Sequence, residues 1–382
     1  MGVPFLDLRA QEPEVGAAVR AAVSAVFDAQ QYVLGPHLER FEAAMAAYCG
    51  VPHAVGVGSG TDALALALAA LDVGPGTRIL TTPFTFFATA STIARLGGTP
   101  VFADVDRATL NLDPDAAAEV FRREPGIAGI VAVHLFGRLA RMDDLRRLAA
   151  RHGCWVLEDA AQAAGARACG AAAGALGRAG ALSFYPTKNL GGIGDGGMVL
   201  TADDTLAASV RRDRNQGLVA PYVHESLGLC SRLDAVQAAA LGAKLPLLDD
   251  WNRRRRRVAA WYAERFVGRG LAAREGAPIE LPEPAGEAHV FHVYCIRARA
   301  RDALQADLAA AGIATQVYYR TPLHRQPALA GRVLAPCSLP ESERAADEVL
   351  ALPIYPQLEE GQVERVVDAI AGFYARFPAD CG

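Results

Sequence analysis

The chain has 382 residues, of which 52% are hydrophobic and 21% are charged, and its formal net charge is −4. A chain of this length and apolar content builds a large core, which excludes global disorder and favours two domains over one. The slight excess of acidic residues gives no reason to expect a nucleic acid or an anionic membrane as a partner.

Short apolar segments alternate with helical patterns from residue 54 to residue 203. This alternation is typical of α/β proteins that have a mostly parallel sheet with helices on both faces. Ligands of such sheets bind beyond the carboxyl ends of the strands, where loops lead into helices. The predicted strands lie at 54–57, 78–83, 99–106, 127–137, 155–162, 180–186 and 196–203, and predicted helices lie at 62–71, 86–97 and 142–153.

A different pattern begins near residue 250, where one long helix is predicted over 251–270. We therefore predict a large ligand-binding domain over 1–250, with a helical N-terminal segment, and a small α+β domain over 251–382. The five arginines at 253–257 would point to every side of the long helix, so we interpret them as a solvated or interface surface and not as a nucleic-acid site. The small domain is predicted to contain a loop at 277–288, strands at 289–298 and 314–320, and helices at 301–312 and 359–377.

The basic residues of the chain are almost all arginine, because among 38 of them only Lys188 and Lys244 are lysines. A guanidinium stays protonated, whereas a lysine amine can lose its proton and form a Schiff base with a carbonyl. Lys188 lies in SFYPTKNLGGIGDGG, where the small residues let a bulky ligand approach the backbone. Lys244 has no neighbouring glycines or acid of this kind, and we interpret it as a surface or interface residue. Lys188 is therefore the candidate nucleophile.

Two motifs at strand-to-helix junctions suit a phosphorylated aromatic ligand. GVGSGTDAL sets Thr61 at the start of a helix, where free N–H groups and the helix dipole favour a phosphate; the same motif is also an ordinary N-cap turn. TTPFTFFATA places Phe86 just after a strand. Its ring would stack on a flat heteroaromatic ring or, alternatively, pack in the core.

A third motif, VLEDAAQA, ends a buried apolar strand with Glu158, Asp159 and Gln162. A carboxylate there is costly to bury unless it is paired. A protonated pyridine nitrogen would satisfy it, and so would an arginine or a helix N-terminus. Together the motifs describe pyridoxal phosphate (PLP), with Thr61 and Ser183 at the phosphate, Phe86 at the ring face, Asp159 at the ring nitrogen and Lys188 at the aldehyde.

The motifs also carry a resemblance to a known family. YVLGPHLERFE, GSGTDALALAL, EDAAQAAGA, SFYPTKNLGGIGDGG, SRLDAVQAAAL and LPIYP occur in this order. Through them the chain resembles, over nearly its whole length, the DegT–DnrJ–StrS family of fold-type I aminotransferases, which act on nucleotide-linked keto-sugars. The resemblance implies that PLP takes an amino group from an amino acid, usually glutamate, and that a keto-sugar then accepts it. It also implies a homodimer with shared active sites.

The resemblance assigns roles to individual residues. Lys188 corresponds to the Schiff-base lysine that also carries the proton, and Asp159 corresponds to the residue that keeps the pyridine nitrogen protonated. Gln162 resembles the residue that hydrogen-bonds the ring hydroxyl of the cofactor. Some relatives have histidine in place of the lysine and dehydrate their substrate, so Lys188 favours transamination. Gly60, Thr61 and Ser183 match phosphate positions, and Phe86 matches the stacking position.

Substrate residues are predicted from the same resemblance. Tyr319 and His324 lie in ATQVYYRTPLHRQP, which resembles the segment that lines the sugar-nucleotide site, and Arg232 would reach that site from the neighbouring chain. Tyr319 could instead belong to the core, and Arg232 could simply hold the subunit interface. The family usually has Asn before SRLD, contacting the phosphate in the neighbouring subunit, but this chain has Cys230, whose thiol is a poor donor. That contact is either lost or supplied by another residue.

The position of the keto group and two other functions stay open. SRLDAVQAA together with LDDWNRRR favours a 3-keto-sugar over a 4-keto-sugar. A cyclitol-ketone aminotransferase would share every cofactor motif and differ only in its pocket. A cofactor-binding sensor that regulates a pathway without turnover is the third reading, although no DNA-binding segment is attached and Lys188 is present.

The remaining features predict a cytoplasmic protein without a metal. The start MGVPFLDLRAQEPEV lacks the basic region and apolar run of a signal peptide, and no apolar segment reaches membrane-spanning length. The seven cysteines form no CxxC pair, which is typical of reduced thiols. His289 and His292 have a chelating spacing in HVFH, but that segment is predicted to be a strand.

Overall fold

The computed structural model describes residues 2–376, so residue 377 of the predicted last helix and Cys381 lie outside the described residues. The α-helices are α1 (Glu12–Ala29), α2 (Pro36–Cys49), α3 (Gly60–Ala70), α4 (Ala88–Arg95), α5 (Pro114–Arg123), α6 (Met142–Arg151), α7 (Asp204–Asp213), α8 (Ala235–Lys244), α9 (Leu248–Gly268), α10 (Arg301–Ala310), α11 (Pro340–Glu348) and α12 (Glu360–Arg376). Short 3₁₀ helices lie at Arg9–Gln11, Leu135–Gly137, Leu245–Leu247, Gly286–Ala288, Leu323–Arg325 and Pro327–Leu329.

A seven-stranded sheet forms the centre of the larger part of the chain. The strands of the protein are β1 (His53–Val57), β2 (Arg78–Thr81), β3 (Thr99–Phe102), β4 (Ile127–Val133), β5 (Trp155–Asp159), β6 (Arg167–Ala168), β7 (Ala171–Ala172), β8 (Ala179–Ser183), β9 (Gly197–Thr201), β10 (Leu218–Ala220), β11 (Val223–His224), β12 (Ile279–Glu280), β13 (Tyr294–Ala298) and β14 (Val349–Leu352). The sheet has the order β1-β9-β8-β5-β4-β2-β3, and β9 alone in it runs antiparallel to its neighbours. The predicted α/β class with a mainly parallel sheet is confirmed.

The parallel arrangement brings the carboxyl ends of β1, β4, β5 and β8 to one edge of the sheet. Their residues are almost all buried, because helices cover both faces and leave no polar face to alternate with the apolar one. Ser59 caps the helix that follows β1, since its side chain accepts a hydrogen bond from the Asp62 N–H at 3.0 Å. Helix α3 therefore begins at the edge of the sheet where ligands bind.

The C-terminal part of the chain has its own three-stranded antiparallel sheet, β12-β13-β14. Apolar side chains of α9, α10 and α12 pack against this sheet, among them Tyr262, Leu308 and Val367. Val3 joins the same cluster, so the first residues of the chain pack with its C-terminal part. Helix α9 begins at Leu248, next to the predicted boundary near residue 250, and that boundary stays a prediction.

Two of the predicted strands in this part differ from the structure. The segment 314–320 is not a strand, since it pairs with the sheet only through a bridge between Gln316 and Ala351. The strand predicted over 289–298 begins only at Tyr294, because His289 and Val290 belong to a loop that pairs with Arg138 and Gly137. Both segments have strand-like composition, but only 289–298 has partner strands, and these pair with its second half, Tyr294–Ala298.

The arginine run on α9 also differs from the prediction of a fully solvated or interface surface. Arg255 is 2% exposed, and its guanidinium donates to the carbonyls of Phe291 at 3.2 Å and Ile354 at 3.0 Å. This side chain therefore ties the long helix to two loops of the C-terminal part. Its neighbours Arg253 and Arg257 are exposed, as predicted from the helical period.

Within the described residues, no helix has both the length and the apolar character needed to cross a membrane. The same part of the chain holds no cluster of three or more His, Cys, Asp or Glu residues that could bind a metal ion.

Candidate active site

A cavity of about 550 Å³ opens at the carboxyl ends of β4, β5 and β8. It lies between the large sheet and two loops. One loop precedes β13, and the other follows α10 and contains residues 318–319. The structure brings all seven predicted cofactor residues to its wall: Gly60, Thr61, Phe86, Asp159, Gln162, Ser183 and Lys188.

Lys188 lies on the turn that follows β8, and its backbone N–H donates to the Tyr185 carbonyl at 2.8 Å. Burial lowers the pKa of its amine from 10.5 to about 8, and the opposing effect of the Asp159 charge is smaller. Gly191 lets the turn close, because a side chain there would overlap the Pro186 carbonyl. The Lys188 amine can therefore lose its proton close to neutral pH, as an amine nucleophile must.

Asp159 ends β5 and is 6% exposed. Its carboxylate accepts a hydrogen bond from the Thr89 hydroxyl at 2.7 Å and a longer one from the Ala161 N–H at 3.3 Å. Burial raises its pKa, and within residues 2–376 no lysine, arginine or histidine forms an ion pair with it. A cationic ligand group in the cavity would offset the cost of keeping this carboxylate charged.

The neighbouring acid, Glu158, points to the opposite face of the sheet, as the period of a strand requires. It is fully buried, and His134 lies 2.8 Å from it. The backbone N–H groups of Gly174, Leu176 and Gly177 donate to it at 2.6–2.9 Å. Glu158 therefore holds a loop in place. Asp159 faces the cavity instead, because successive side chains of β5 point to opposite faces of the sheet.

The start of α3 forms an anion-binding corner of the cavity. Gly60 and Thr61 belong to the first turn, whose N–H groups have no acceptor within the helix. A side chain at Gly60 would lie 2.7 Å from the Ser183 Cβ, so glycine is what allows the Ser183 hydroxyl to sit beside the helix start. This combination of N–H groups, hydroxyls and helix dipole suits a phosphate.

Aromatic side chains form another wall. Phe86 is 55% exposed, which argues against core packing and leaves its ring free to cover a ligand. Its centroid lies 6.4 Å from that of Tyr319. Gln162 donates to the Tyr319 hydroxyl at 3.2 Å and accepts from the Phe136 N–H at 2.6 Å. The side-chain amide of Gln162 thus already has two protein partners, and the predicted hydrogen bond to the ring hydroxyl of the cofactor would be a third.

Of the three predicted substrate residues, one lines the cavity and two do not. Tyr319 lines the cavity. His324 does not line it, and its ring nitrogen Nε2 lies 3.2 Å from Glu343. Arg232 also lies outside the cavity of its own chain and donates to Asn215 at 2.8 Å and to the Cys230 thiol at 3.0 Å. The single chain thus brings together only one of the three, and the contact of Arg232 with a neighbouring chain stays a prediction.

Sequence reasoning missed three residues that the structure places at or beside this site. Thr89, the partner of Asp159, gave no signal beyond its position on a helix. His292 lines the cavity, whereas the HVFH pattern indicates only a chelating spacing or a strand. Lys244 is half-buried and is not merely a surface or interface residue, because its Nζ donates to the Gly191 carbonyl at 2.7 Å.

Known proteins match the chain over almost its whole length. The model of the DegT/DnrJ/EryC1/StrS aminotransferase family matches residues 13–371. The "pleiotropic regulatory protein" of Geobacillus stearothermophilus is 47% identical over 99% of this chain and 100% of its own. The dTDP-3-amino-3,4,6-trideoxy-alpha-D-glucose transaminase of Streptomyces venezuelae is 45% identical over 96% of this chain and 95% of its own. The crystal structure of S. venezuelae DesV in complex with a ketimine intermediate has a TM-score of 0.91 and 44% identity, over 97% of this chain and 98% of that one.

The fold and its similarity to solved structures define a fold-type I enzyme, and the family match defines an aminotransferase. The chain belongs to the DegT/DnrJ/EryC1/StrS aminotransferase family. Its sequence resemblance to that family is thereby confirmed, while the roles of single residues stay predictions.

Proposed function

We propose that this aminotransferase uses PLP to move an amino group from glutamate to the 3-keto group of a nucleotide-linked sugar. The observation that carries the proposal is that one cavity holds the Lys188 amine and a buried Asp159 carboxylate, which forms no ion pair within the described residues. The cavity offers a place for each part of PLP. The first turn of α3 and Ser183 suit its phosphate, and Phe86 suits its ring face.

When bound, PLP supplies an electron sink and carries the amino group between the two substrates. Lys188 would attach the cofactor and move the proton at the reacting carbon, since its lowered pKa lets the amine act as a base near neutral pH. Asp159 would hold a positive charge at the ring nitrogen, and the Thr89 hydroxyl orients the carboxylate that does so. Because Asp159 is buried, a charge pair between it and the ring nitrogen would be stronger than the same pair in water.

The choice of substrate rests on the relatives and on the cavity wall. The S. venezuelae relative is named for a sugar that carries its amino group at carbon 3, which agrees with the sequence-based preference for a 3-keto-sugar. Tyr185, Tyr318 and Tyr319 line the cavity and would offer both hydroxyl groups and flat faces to a sugar. Among the described residues, Lys188 is the one lysine or arginine that lines the cavity, so the diphosphate of the nucleotide would need Arg232 or another group of a second subunit.

Incubation with ¹⁵N-glutamate and a panel of ketones tests the proposal, with mass spectrometry of the products as the readout. The panel contains 3-keto and 4-keto nucleotide sugars and a cyclitol ketone, and Lys188→Ala serves as the control. We expect ¹⁵N in a 3-amino nucleotide sugar. Label only in the 4-amino sugar or the aminocyclitol would overturn the substrate assignment, and no label in any product would favour the regulator that the name of the G. stearothermophilus relative suggests.

We also propose a homodimer with shared active sites. The segment around β10 and β11 exposes large apolar side chains that a monomer would leave in water, with Tyr222 96% exposed and Leu227 fully exposed. Arg232 and Cys230 follow directly on this segment. Further exposed apolar side chains are Phe27, Tyr32, Val33, Val219, Val223 and Leu229.

Light scattering on a double variant, Tyr222→Glu with Leu227→Glu, tests the dimer. We expect the variant to be a monomer and to lose most of its activity, because two buried carboxylates would disrupt an apolar interface. A fully active monomer would contradict the shared site.

We place the protein in the cytoplasm, a proposal supported by the free thiols of the described cysteines.

A further inference from the structure

His292 lines the cofactor cavity, and the proposed function gives it no part. It lies in the loop just before β13, and its ring nitrogen Nδ1 is 3.2 Å from the Asn189 side-chain oxygen. Asn189 is the residue after Lys188 and is 5% exposed. The histidine ring is therefore fixed by the immediate chain neighbour of the candidate nucleophile.

The hydrogen bonds behind the ring determine where its proton lies. The Asn189 amide nitrogen donates to the Asn252 side-chain oxygen at 2.7 Å and to the Val290 carbonyl at 3.1 Å, which uses both of its N–H groups. The Asn252 amide nitrogen donates in turn to the Ala164 carbonyl at 3.0 Å, so its orientation is fixed as well. The Asn189 oxygen must then face His292, and because an amide oxygen only accepts, Nδ1 carries the proton.

The other ring nitrogen, Nε2, is left as a bare acceptor. Burial of the ring and the nearby charge of Lys188 both lower the pKa of His292, so the imidazole stays neutral. Nε2 has no hydrogen-bond partner among residues 2–376, and neither does the Lys188 Nζ. One cavity thus holds an unpartnered donor and an unpartnered acceptor.

We propose that His292 is a positioning residue whose Nε2 accepts a hydrogen bond from the ε-ammonium of Lys188, reached by a rotation of the lysine side chain within the cavity, when that amine is not bonded to the cofactor. This inference rests on the proposed role of Lys188. The bond would hold the amine in one orientation while it carries the proton, and it would stabilise the protonated amine. The chain Ala164–Asn252–Asn189–His292 fixes the ring tautomer on which the bond depends.

The tautomer is tested directly by ¹⁵N NMR of the cofactor-free protein labelled in histidine. We expect one of the histidines to show the neutral form with the proton on Nδ1 near neutral pH, and we expect His292→Phe to remove that signal. Since a solvent-exposed neutral histidine side chain prefers the proton on Nε2, the finding would not arise by default. A protonated ring at His292, or a proton on its Nε2, would overturn the proposal.

The contact with Lys188 is tested by acetylating the cofactor-free protein briefly at neutral pH and measuring each lysine by peptide mass spectrometry. His292→Phe removes the acceptor, so more of the Lys188 amine is unprotonated, and we expect Lys188 to react about fivefold faster relative to Lys244. Lys244 is the internal reference, and His289→Phe is the matched variant, because His289 belongs to the same HVFH segment but not to the cavity wall. An unchanged Lys188-to-Lys244 ratio in His292→Phe, or an equal rise in His289→Phe, would overturn the contact.

Neither measurement uses PLP or a substrate. Failure of the proposed function would appear as a protein that does not bind PLP covalently, whatever the tautomer of His292. Failure of the further inference would appear as the wrong tautomer or labelling ratio in a protein that still binds PLP through Lys188.

Discussion

Both lysines of this chain belong to or contact one glycine-rich turn, with Lys188 in the segment that forms it and Lys244 on the helix that supports it. Burial lowers the pKa of both amines. Lys244 reaches the turn from the end of α8 and donates to the Gly191 carbonyl, whereas the Lys188 amine has no hydrogen bond within the described residues and faces the cavity. A lowered pKa alone therefore does not mark a reactive lysine. The better indication is an amine that has no hydrogen bond and lies in a cavity together with a carboxylate that forms no ion pair.

Lys244 has a supporting part in the same turn. Gln237 on the same helix accepts a hydrogen bond from the Ile193 N–H at 2.8 Å, so α8 fixes the turn at two points. The turn continues into Asp195 and Gly196, which line the cavity. Lys188 would thus perform the chemistry while Lys244 holds the turn in place. Four predictions distinguish the chemical role from the supporting role.

Lys188→Ala should have the largest effect, a loss of transfer activity of about 10⁴-fold or more, because both the covalent link and the proton carrier are removed. Lys188→Arg is the matched control, since it keeps the charge but cannot supply a free amine. We expect both variants to be equally inactive in the ¹⁵N-transfer assay. Substantial activity in Lys188→Arg would mean that the charge of this residue matters and its nucleophilicity does not.

Asp159→Asn should lower kcat by about 10²–10³-fold, because a neutral amide cannot hold a positive charge at the ring nitrogen. Glu158→Gln offers a comparison one residue away on the opposite face. There we expect a loss of folding stability of about 1–3 kcal/mol, since three backbone N–H groups donate to that carboxylate. Kinetics together with thermal denaturation distinguish the two. If Asp159→Asn kept its rate, Asp159 would have no part in the chemistry.

The rate at which the cofactor-free protein captures PLP should depend on pH with an apparent pKa of about 8. Below this value the Lys188 amine is protonated in the folded protein, so the rate should fall about tenfold for each further pH unit. Above it the amine is neutral and the rate should level off. Stopped-flow absorbance measures the capture, and an inflection near 10.5, the ordinary value for lysine, would show that burial does not activate this amine.

Lys244→Met should have the smallest effect, a fall in kcat/KM of about two- to tenfold, which corresponds to the loss of one hydrogen bond. Faster hydrogen exchange over 190–194 should accompany it, because the turn loses its anchor on α8. Lys244→Arg keeps a donor and should lie between Lys244→Met and the wild type. If Lys244→Met matched the wild type in both exchange and kinetics, the turn would not depend on this lysine.

The sequence was sufficient to predict what depends on local pattern. The mainly parallel sheet follows from alternating apolar segments, and the seven predicted cofactor residues lie at or after the ends of strands, where the structure places them in one cavity wall. What could not be predicted depends on partners far away in the chain. Only the fold brings His134 and the backbone N–H groups of residues 174–177 to Glu158, and only the fold brings Asn252 and His292 to Asn189. The segment 314–320 likewise resembles a strand but lacks a neighbour to pair with along its length.

The central claim is that one amine, that of Lys188, attaches the cofactor. Borohydride reduction of the PLP-loaded protein, followed by peptide mass spectrometry, tests this claim most directly because it fixes the label on the lysine that carries it. We predict the pyridoxyl label on the peptide that contains Lys188 and on no other. A label on Lys244, or no label on either lysine, would contradict the account.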